Sequence, residues 1–545
     1  MDLGCWDNVL VAKRYRPVTR DQAFLLPPDM ADWLSDDHLV WFLIDVMAAL
    51  DTSELTCRAA RRRDGRARRT WSGRAAYDPV MLATVLIYAY AMGERSSRRI
   101  ERLCQTDAAY RIACAGDVPD HTVIARFRQN HASAFAGLFA QVLRLCREAG
   151  LVRLGTVAID GTKIAANASR EANRSRDWFD GHRATGADPD ADARADRGLA
   201  LGILDEAAET DAAEDAEFGP ARGDELPAGW HGRAGRAERI RAAKARLDER
   251  EAVLREQARA EQAARVAKAE ARLTQARRAL AAEQAAAGAR MRKWEKARAD
   301  AVATGTSVPK GRAPIRKPSV VRRAQDRQVK AERHPRDTLA RPEPEIDLSK
   351  ARANITDPDS SLMPSRQGWV QGYNGQFSIS ADQIILATAV STNPADIVSY
   401  QPMVDVTLEA VNRLGAADEL GVLLFDAGYA SQETLTGEQP NRLIALGKSH
   451  SVPPYAPPPV TTPPPVTHPS TPPHERRWIT GCAPAEGAAL YARRATTVEP
   501  GIGNFKKLLS RASRRGLAAV TSEIQLAATA FNLRKLHIAT PAATA

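Results

Sequence analysis

The sequence is poor in cysteine and contains no long apolar run. Its six cysteines are scattered and none forms a C-x-x-C pair, so the pattern suggests neither a zinc site nor a disulfide framework, and we expect reduced thiols. No run of about 18 apolar residues is present, and the first residues lack the charged-then-apolar order of a signal peptide. These absences predict a soluble, cytoplasmic protein without a membrane segment.

Positive charge, by contrast, is in excess and is concentrated in two segments. The formal net charge is +11 and the pI is about 9.5. Residues 231–300 contain 19 Lys and Arg against 10 Asp and Glu, and residues 310–337 contain 10 against 3, which leaves the rest of the chain net negative. Such segments indicate a polyanionic partner, either nucleic acid or an anionic membrane surface.

The chain divides into segments of different composition. Apolar residues return every three or four positions from about 20 to 150, which predicts a helical region. The acidic, alanine-rich stretch 174–227 is too poor in large apolar residues to build a core, and 236–300 predicts a long helix or helical hairpin, an exposed basic arm. Alternation around a Tyr-Asn-Gly centre predicts paired strands at 368–392, and 11 prolines within 453–474 predict an extended linker.

Basic residues in the helical region are candidates for DNA contact. Asp120 or Thr122 is expected to cap a helix whose first face carries Arg126 and Arg128, and the next helix could complete a helix-turn-helix. A plain packing pair of helices is the alternative. An arginine-rich segment at 58–69 fits either a phosphate-contacting loop or a solvated loop. The residues alone leave both questions open.

Two predicted strands each end in an aspartate close to a glycine. Residues 157–159 predict a short buried strand with Asp160 at its edge and a turn at Gly161, and "GVLLFDAGYAS" predicts a second strand that ends at Asp426. A carboxylate at a strand end can be held rigidly at an open rim, where ligands and metals gather. The alternative is that each aspartate caps the turn that follows it.

A glutamate adds a third carboxylate to this pair. Glu499 is expected to open the final basic helix, and carboxylates from two strands and a helix form a hard-oxygen set that suits two Mg²⁺ ions. Two helical turns further on, Lys506 and Lys507 could meet phosphate oxygens near those metals. This pattern is typical of phosphodiester chemistry.

Several blocks of the sequence are similar to those of one enzyme family. The blocks "AIDGTKI", "DPDSSLMPSRQGWVQGYNGQ", "LLFDAGYAS" and "YARRATTVEPGIGNFKK" resemble, in order, blocks of bacterial insertion-sequence DDE transposases. The blocks "YDPVMLATVLIYAYAMGERSSRRIER" and "PDHTVIARFR" resemble the InsH-type helical N-terminal domain of that family.

The resemblance implies a fold and a set of site residues. The fold is an α/β protein whose RNase H-like catalytic core, a mixed sheet flanked by helices, is interrupted by a long helical insertion and preceded by an all-α domain. Asp160, Asp426 and Glu499 would be the catalytic, metal-binding triad for two Mg²⁺ ions, for which Mn²⁺ can substitute. Tyr491, Arg494 and Lys506 would position DNA phosphates and the transposon end.

Composition and this resemblance together predict the domain boundaries. They are 1–150 for the helical DNA-binding domain, 151–170 for the first part of the core, 171–350 for the charged helical insertion, 351–450 for the continued core, 451–480 for the proline-rich linker and 481–545 for the C-terminal core helices.

The implied function is metal-dependent DNA cleavage and strand transfer in the transposition of an insertion sequence. Water would attack the phosphodiester at an element end, and the freed 3′-hydroxyl would attack target DNA. The partners would be double-stranded element ends and target DNA, bound by a homo-oligomer near the nucleoid of a bacterial cytoplasm. The alternatives are a metal-dependent nuclease on the same core and an inactive or degraded transposase that only binds DNA.

The glutamate block departs from the family pattern. Gly501 and Ile502 stand where related sequences have valine and phenylalanine, so a flexible helix start is expected, and the changes Gly501→Val and Ile502→Phe are expected to raise activity by rigidifying it. Glu523 is a rival third carboxylate, but it is expected to face solvent or a structural partner. His121 has no metal-ligand spacing to another histidine and is not a predicted ligand.

Overall fold

A computed structural model places most of the chain. It describes residues 17–20, 29–56, 76–180, 205–206, 208–210, 212–213, 216, 230, 232–307, 312–315, 319–339, 351–365, 368–431, 434, 441–445, 478–479 and 484–540. The arginine-rich segment 58–69, most of the acidic stretch 174–227 and the proline tract 453–474 lie outside the described residues.

Helices dominate the N-terminal region, as the apolar periodicity predicts. They are α1 (Leu39–Ala49), α2 (Ser53–Thr56), α3 (Pro79–Ala91), α4 (Ser97–Thr106), α5 (Ala108–Ala113), α6 (His121–Asn130) and α7 (Ala132–Glu148). Local signals set several starts: the Asp78 side chain caps α3 by accepting from the Met81 N–H, and Asp120, one of the two predicted caps, accepts from the Thr122 N–H. The prediction of a helical N-terminal region is confirmed.

The remaining elements include nine strands and six helices. In chain order they are β1 (Thr156–Ala165), β2 (Asn173–Ser175), α8 (Arg176–Asp180), α9 (Gly232–Ala303), α10 (Ser319–Leu339), β3 (Arg352–Asn354), β4 (Ser361–Ser365), β5 (Gly368–Ser380), β6 (Ile385–Ser391), α11 (Tyr400–Arg413), β7 (Val422–Phe425), β8 (Arg442–Ala445), β9 (Trp478–Ile479), α12 (Pro484–Leu508) and α13 (Leu517–Ala539).

Seven of these strands form one mixed sheet. Its order is β4-β5-β1-β7-β8-β9, and β6 also pairs with β5. The strands β1 and β6 each run antiparallel to β5, whereas β7 runs parallel to β1 and β8 runs parallel to β7. The prediction of an α/β protein with a mixed sheet is confirmed.

The parallel pair of β1 and β7 decides where the two predicted aspartates meet. The register pairs Thr156 with Val422 and Ala158 with Leu424. Carried two residues further, the same register brings Asp160 level with Asp426. Asp426 lies one residue beyond β7, and its charge is among those that raise the pKa of Asp160, so the two carboxylates are near each other.

Two local expectations about the strands were wrong. β1 does not turn at Gly161 but continues to Ala165, because β5 supplies backbone partners along that whole length. The Tyr-Asn-Gly sequence lies within β5 rather than at a turn, and β5 turns into β6 at residues 381–384, where Gln383 has a φ of +64°. The predicted pairing of strands within 368–392 is nevertheless confirmed.

The chain divides into two compact units. Unit 1 contains residues 1–174, 181–243 and 353–545, and unit 2 contains residues 175–180 and 244–352. Within unit 1, α3 and α7 pack on α13, α12 packs on β1 and β5, and the buried residues of helices and sheet form one apolar core. The predicted boundary at residue 150 therefore falls inside unit 1.

Unit 2 consists largely of two helices. α9 is one 72-residue helix that covers the predicted helical stretch at 236–300, and most of its described side chains are exposed. α10 follows, and Nη2 of Arg277 on α9 lies 3.3 Å from Oε1 of Glu332 on α10. Among the residues that the structure describes, no helix is long and apolar enough to cross a membrane.

Candidate active site

The candidate site is built on Asp160 and Asp426. Asp160 lies within β1, and its Oδ1 accepts the backbone N–H of Gly161 at 2.9 Å. Asp426 directly follows β7 and caps a short 3-10 turn, Ala427–Tyr429, by accepting the Gly428 N–H at 2.8 Å. The expected turn-capping role therefore holds for Asp426, but it does not exclude a metal-binding role because each carboxylate keeps further lone pairs.

Arg494 on α12 joins these carboxylates. Its Nη2 lies 2.6 Å from Asp160 Oδ2, and the side chains of Arg494 and Asp160 are 11% and 20% exposed. Its guanidinium also lies 6.0 Å from the centre of the Tyr491 ring. Although burial acts to lower the pKa of Arg494, the charges of Asp160, Tyr491, Asp426 and Glu499 raise it above the usual value. The predicted site residues of both strands and of α12 thus share one electrostatic environment.

The pKa of Asp160 is raised to about 6. Burial is the largest cause, and the charges of Asp426 and Asp396 add to it. The Arg494 guanidinium and the Gly161 N–H act in the opposite direction but do not compensate. Burial and neighbouring acids disfavour the ionised form of Asp160, and a nearby cation would stabilise that form. A divalent metal ion can be this cation.

Asp396 is a fourth carboxylate in this group and was missed in the sequence. It opens a short 3-10 helix, Asp396–Ser399, between β6 and α11. Its Oδ1 accepts from Asn374 Nδ2 at 2.7 Å and from Gln376 Nε2 at 2.9 Å, and Lys163 Nζ lies 3.5 Å away. The available signal was the alternation of buried polar side chains along the central strand β5.

The predicted DNA-contacting residues differ in their exposure. Arg126 and Lys507 are exposed, and Tyr491, Arg494 and Lys506 are half-buried. Arg128 is only 1% exposed, and its Nη1 donates to the Tyr90 hydroxyl at 2.7 Å and to the Arg95 carbonyl at 2.9 Å. Because its guanidinium is enclosed by these partners, Arg128 does not belong among the residues that could meet DNA.

Glu523 has a structural partner rather than a place in the site. It is fully buried on α13, and its carboxylate accepts from the Ser513 and Arg514 backbone N–H groups and from the Tyr90 hydroxyl. These bonds connect α13 to the preceding loop and to α3. Of the two expectations for Glu523, solvent or a structural partner, the structure therefore supports the structural partner.

Comparison with family models gives two matches. The model described as "Transposase domain (DUF772)" matches residues 29–130, and the model described as "Transposase DDE domain" matches residues 474–537. Both matches are to transposase domains, and together they support an insertion-sequence DDE transposase. No curated protein and no solved structure matches it.

The two matches cover distinct parts of the transposase. The first includes the helices α1 to α6, and the second includes Tyr491, Arg494 and Glu499 on α12 together with most of α13. The strands that carry Asp160 and Asp426 lie between them, outside both matched ranges, so their place in the site rests on the sheet register and on the contact with Arg494.

The position of Glu499 in the transposase corrects an expectation. Glu499 does not open a helix, because α12 begins at Pro484 and continues through Pro500. Pro500 cannot donate to the Thr496 carbonyl one turn earlier, and Gln383 Nε2 donates to that carbonyl at 3.3 Å. There is accordingly no flexible helix start at this point.

Gly501 is also tightly packed. A β-carbon added there would lie 2.9 Å from Ile379 Cδ1, and Ile379 is fully buried in β5. The expected gain from Gly501→Val therefore loses its basis, because a valine would collide with the sheet instead of rigidifying a loose segment.

A second group of possible metal ligands lies elsewhere in the transposase. Single ligand atoms of Glu101, Asp120 and His121 lie within 4.8 Å of one another. His121 Nδ1 lies 2.8 Å from Glu101 Oε2, and Asp120 caps α6. These are the contacts of a helix start with a side-chain hydrogen bond, and the prediction that His121 is not a metal ligand stays a prediction.

Proposed function

We propose that this transposase catalyses metal-dependent cleavage and strand transfer of insertion-sequence DNA, with Asp160, Asp426 and Glu499 as its catalytic carboxylates. The observation that carries this proposal is the contact of Arg494 on α12 with Asp160 on β1, a strand that pairs in parallel with β7, which Asp426 directly follows. Glu499 follows Arg494 by five residues on the same helix.

The proposal includes an RNase H-like core. Three antiparallel strands (β6, β5, β1) continued by two strands parallel to β1 (β7, β8) form the kind of mixed sheet that such a core requires. The match of a DDE domain to the helices that follow supports the same interpretation. α12 packs on β1 and β5, and the contact of its Arg494 with Asp160 supports the same interpretation.

The donor set fits divalent metal ions. Asp160, Asp426 and Glu499 offer only carboxylate oxygens, which Mg²⁺ and Mn²⁺ prefer. In phosphodiester chemistry two such ions activate the attacking hydroxyl and stabilise the leaving oxygen. The raised pKa of Asp160 supports metal binding at this site, because the Arg494 guanidinium alone does not offset the burial of the Asp160 carboxylate.

Arg494 and the lysines of α12 are the groups that would meet DNA. Arg494 lies against Asp160 with its side chain 11% exposed, so its guanidinium would meet a phosphate oxygen held at the carboxylates themselves. Lys506 and Lys507 lie two turns beyond Glu499 on the same helix. Arg126 on α6 would add a phosphate contact in the helical region.

The experiment is a DNA cleavage and joining assay on the full chain with element-end DNA and Mg²⁺. We expect nicking and strand transfer by the wild type and loss of both in Asp426→Asn, with Asp418→Asn, an exposed aspartate before β7, as the matched control. Cleavage without joining would favour the nuclease alternative. DNA binding without cleavage by the wild type would favour the inactive alternative, and cleavage by Asp426→Asn at the wild-type rate would refute the site.

A further inference from the structure

Asp396 touches the segments that carry both catalytic aspartates without lying next to either in sequence. Its Oδ1 takes up donors from two strands: Asn374 and Gln376 on β5, and the Lys163 ammonium on β1. Lys163 Nζ also donates to the Pro394 carbonyl at 2.8 Å, which fixes the loop that presents Asp396. The side chain is 24% exposed, so this network is largely enclosed.

Two glycines mark how closely Asp396 approaches the catalytic pair. A β-carbon added to Gly161, the residue after Asp160, would lie 2.6 Å from Asp396 Oδ1 and 2.4 Å from Gln376 Nε2. A β-carbon added to Gly428, two residues after Asp426, would lie 3.2 Å from Asp396 Oδ2. The Asp396 carboxylate therefore lies between the backbone of β1 and the turn that follows β7.

Gln376 extends the contact to the far side of that turn. Its side-chain oxygen accepts the hydroxyl of Tyr429, which is the last residue of the turn that Asp426 caps and is fully buried. A continuous series of hydrogen bonds thus runs from Asp396 through Gln376 to Tyr429. It connects β5 and the Asp396 loop to the backbone on both sides of the carboxylate pair.

We propose that Asp396 is a positioning residue that fixes the backbone next to Asp160 and Asp426, so that the two carboxylates meet the same metal ions. Asp396 Oδ1 is already shared among three donors, so this oxygen is a poor metal ligand, and we assign Asp396 an effect through the neighbours that these bonds hold. This inference rests on the proposed function, and the test is designed so that the two fail separately.

The test measures Mn²⁺ binding by electron paramagnetic resonance on the full chain without DNA, beside Mn²⁺-dependent nicking. Asp396→Ala is expected to weaken Mn²⁺ binding by about 10- to 100-fold, which is typical for loss of a residue that orients metal ligands, while the number of bound ions at saturation stays as in the wild type. Asp396→Asn keeps an oxygen for Asn374 and Gln376 and is expected to recover most of that affinity.

Gly161→Ala provides an independent variant because it moves Asp396 without changing it. The added methyl group would displace the Asp396 and Gln376 side chains, so a similar loss of Mn²⁺ affinity is expected. Gly155→Ala is the matched control, since a β-carbon there has nothing within 4 Å. Circular dichroism melting without metal establishes that each variant is folded.

Each outcome decides the matter. Wild-type Mn²⁺ affinity in folded Asp396→Ala would overturn the positioning role, and so would a weakening confined to variants that have lost structure. Loss of a bound ion in Asp396→Asn, as expected for Asp160→Asn, would make Asp396 a ligand and also overturn it. A wild type that neither binds Mn²⁺ nor nicks DNA would overturn the proposed function itself, and the role of Asp396 with it.

Discussion

Replacing Asp160 with asparagine is expected to stabilise the metal-free protein at neutral pH while removing its activity. The pKa of Asp160 rises from an ordinary 3.8 to about 6 in the folded chain, mainly through burial. Between these values the native state binds a proton that the unfolded state has lost, so stability falls as the pH rises through this window. Above it, the ionised carboxylate destabilises the fold by up to about 3 kcal/mol, since one pKa unit corresponds to about 1.4 kcal/mol.

Asparagine cannot ionise and avoids this cost. In EDTA at pH 8, Asp160→Asn is therefore expected to melt at a higher temperature than the wild type, whereas at pH 4, where native Asp160 is protonated, the difference should nearly vanish. Mg²⁺ at 1,000 times its dissociation constant should reverse the order at pH 8, because it stabilises only a native state that binds it, by about 4.1 kcal/mol.

The assay is thermal unfolding by circular dichroism under these three conditions, with Asp418→Asn as control. A wild type that is more stable than Asp160→Asn at pH 8 without metal would refute the reasoning. That result would mean that the ion pair with Arg494 outweighs the burial of the Asp160 charge.

Three further predictions concern the rest of the chain. Glu499→Gln should abolish Mg²⁺-dependent cleavage with little change in melting temperature, because Glu499 is exposed. Glu523→Gln should lower the free energy of unfolding by about 1–3 kcal/mol and leave the Mn²⁺ affinity unchanged, because Glu523 is buried away from the site. The reverse pattern would transfer the catalytic role to Glu523. Gly501→Val should cost about 1–3 kcal/mol on chemical denaturation through its collision with β5, with Gly503→Val as the open-space control, and equal stabilities would show that the sheet yields freely. Replacing residues 236–337 by a short flexible linker should weaken nonspecific DNA binding and flatten its salt dependence, and an unchanged slope of log affinity against log salt would show that α9 and α10 do not touch DNA.

The sequence was informative where a local pattern and a tertiary arrangement agree. The apolar run before Asp426 forms β7, the apolar periodicity from about 20 to 150 forms the helices α1 to α7, and the acidic cap Asp120 starts α6. In each case the neighbours along the chain already contain the physical cause: a buried strand, an apolar helical face or a side-chain oxygen near free N–H groups.

The local sequence was misleading where a residue distant in the chain decides the structure. Gly161 suggested a turn, but β5 pairs with β1 through it and the Asp396 carboxylate leaves no room for a side chain there. Arg128 belongs to a basic helical face by its spacing, yet Tyr90 and the Arg95 carbonyl enclose it. The Glu-Pro-Gly sequence at Glu499 suggested a helix start, whereas Gln383 satisfies the carbonyl that Pro500 leaves free and the helix continues.

Asp396 illustrates a further limit of the sequence. Its contacts with Asn374, Gln376 and Lys163 join a loop to two strands, and the residues are distant in the chain. Nothing in the local sequence of Asp396 distinguishes it from an ordinary helix-capping aspartate. Only the assembled sheet shows that it lies against the glycines beside the catalytic pair.

The most direct test of the account is a crystal structure of the full chain with Mn²⁺, in which anomalous scattering locates the metal. We predict anomalous peaks in contact with the carboxylates of Asp160 and Asp426, of which the second raises the pKa of the first, and within reach of Glu499 on α12. Peaks found only at Glu101, Asp120 and His121, with none at Asp160 and Asp426, would contradict the central claim.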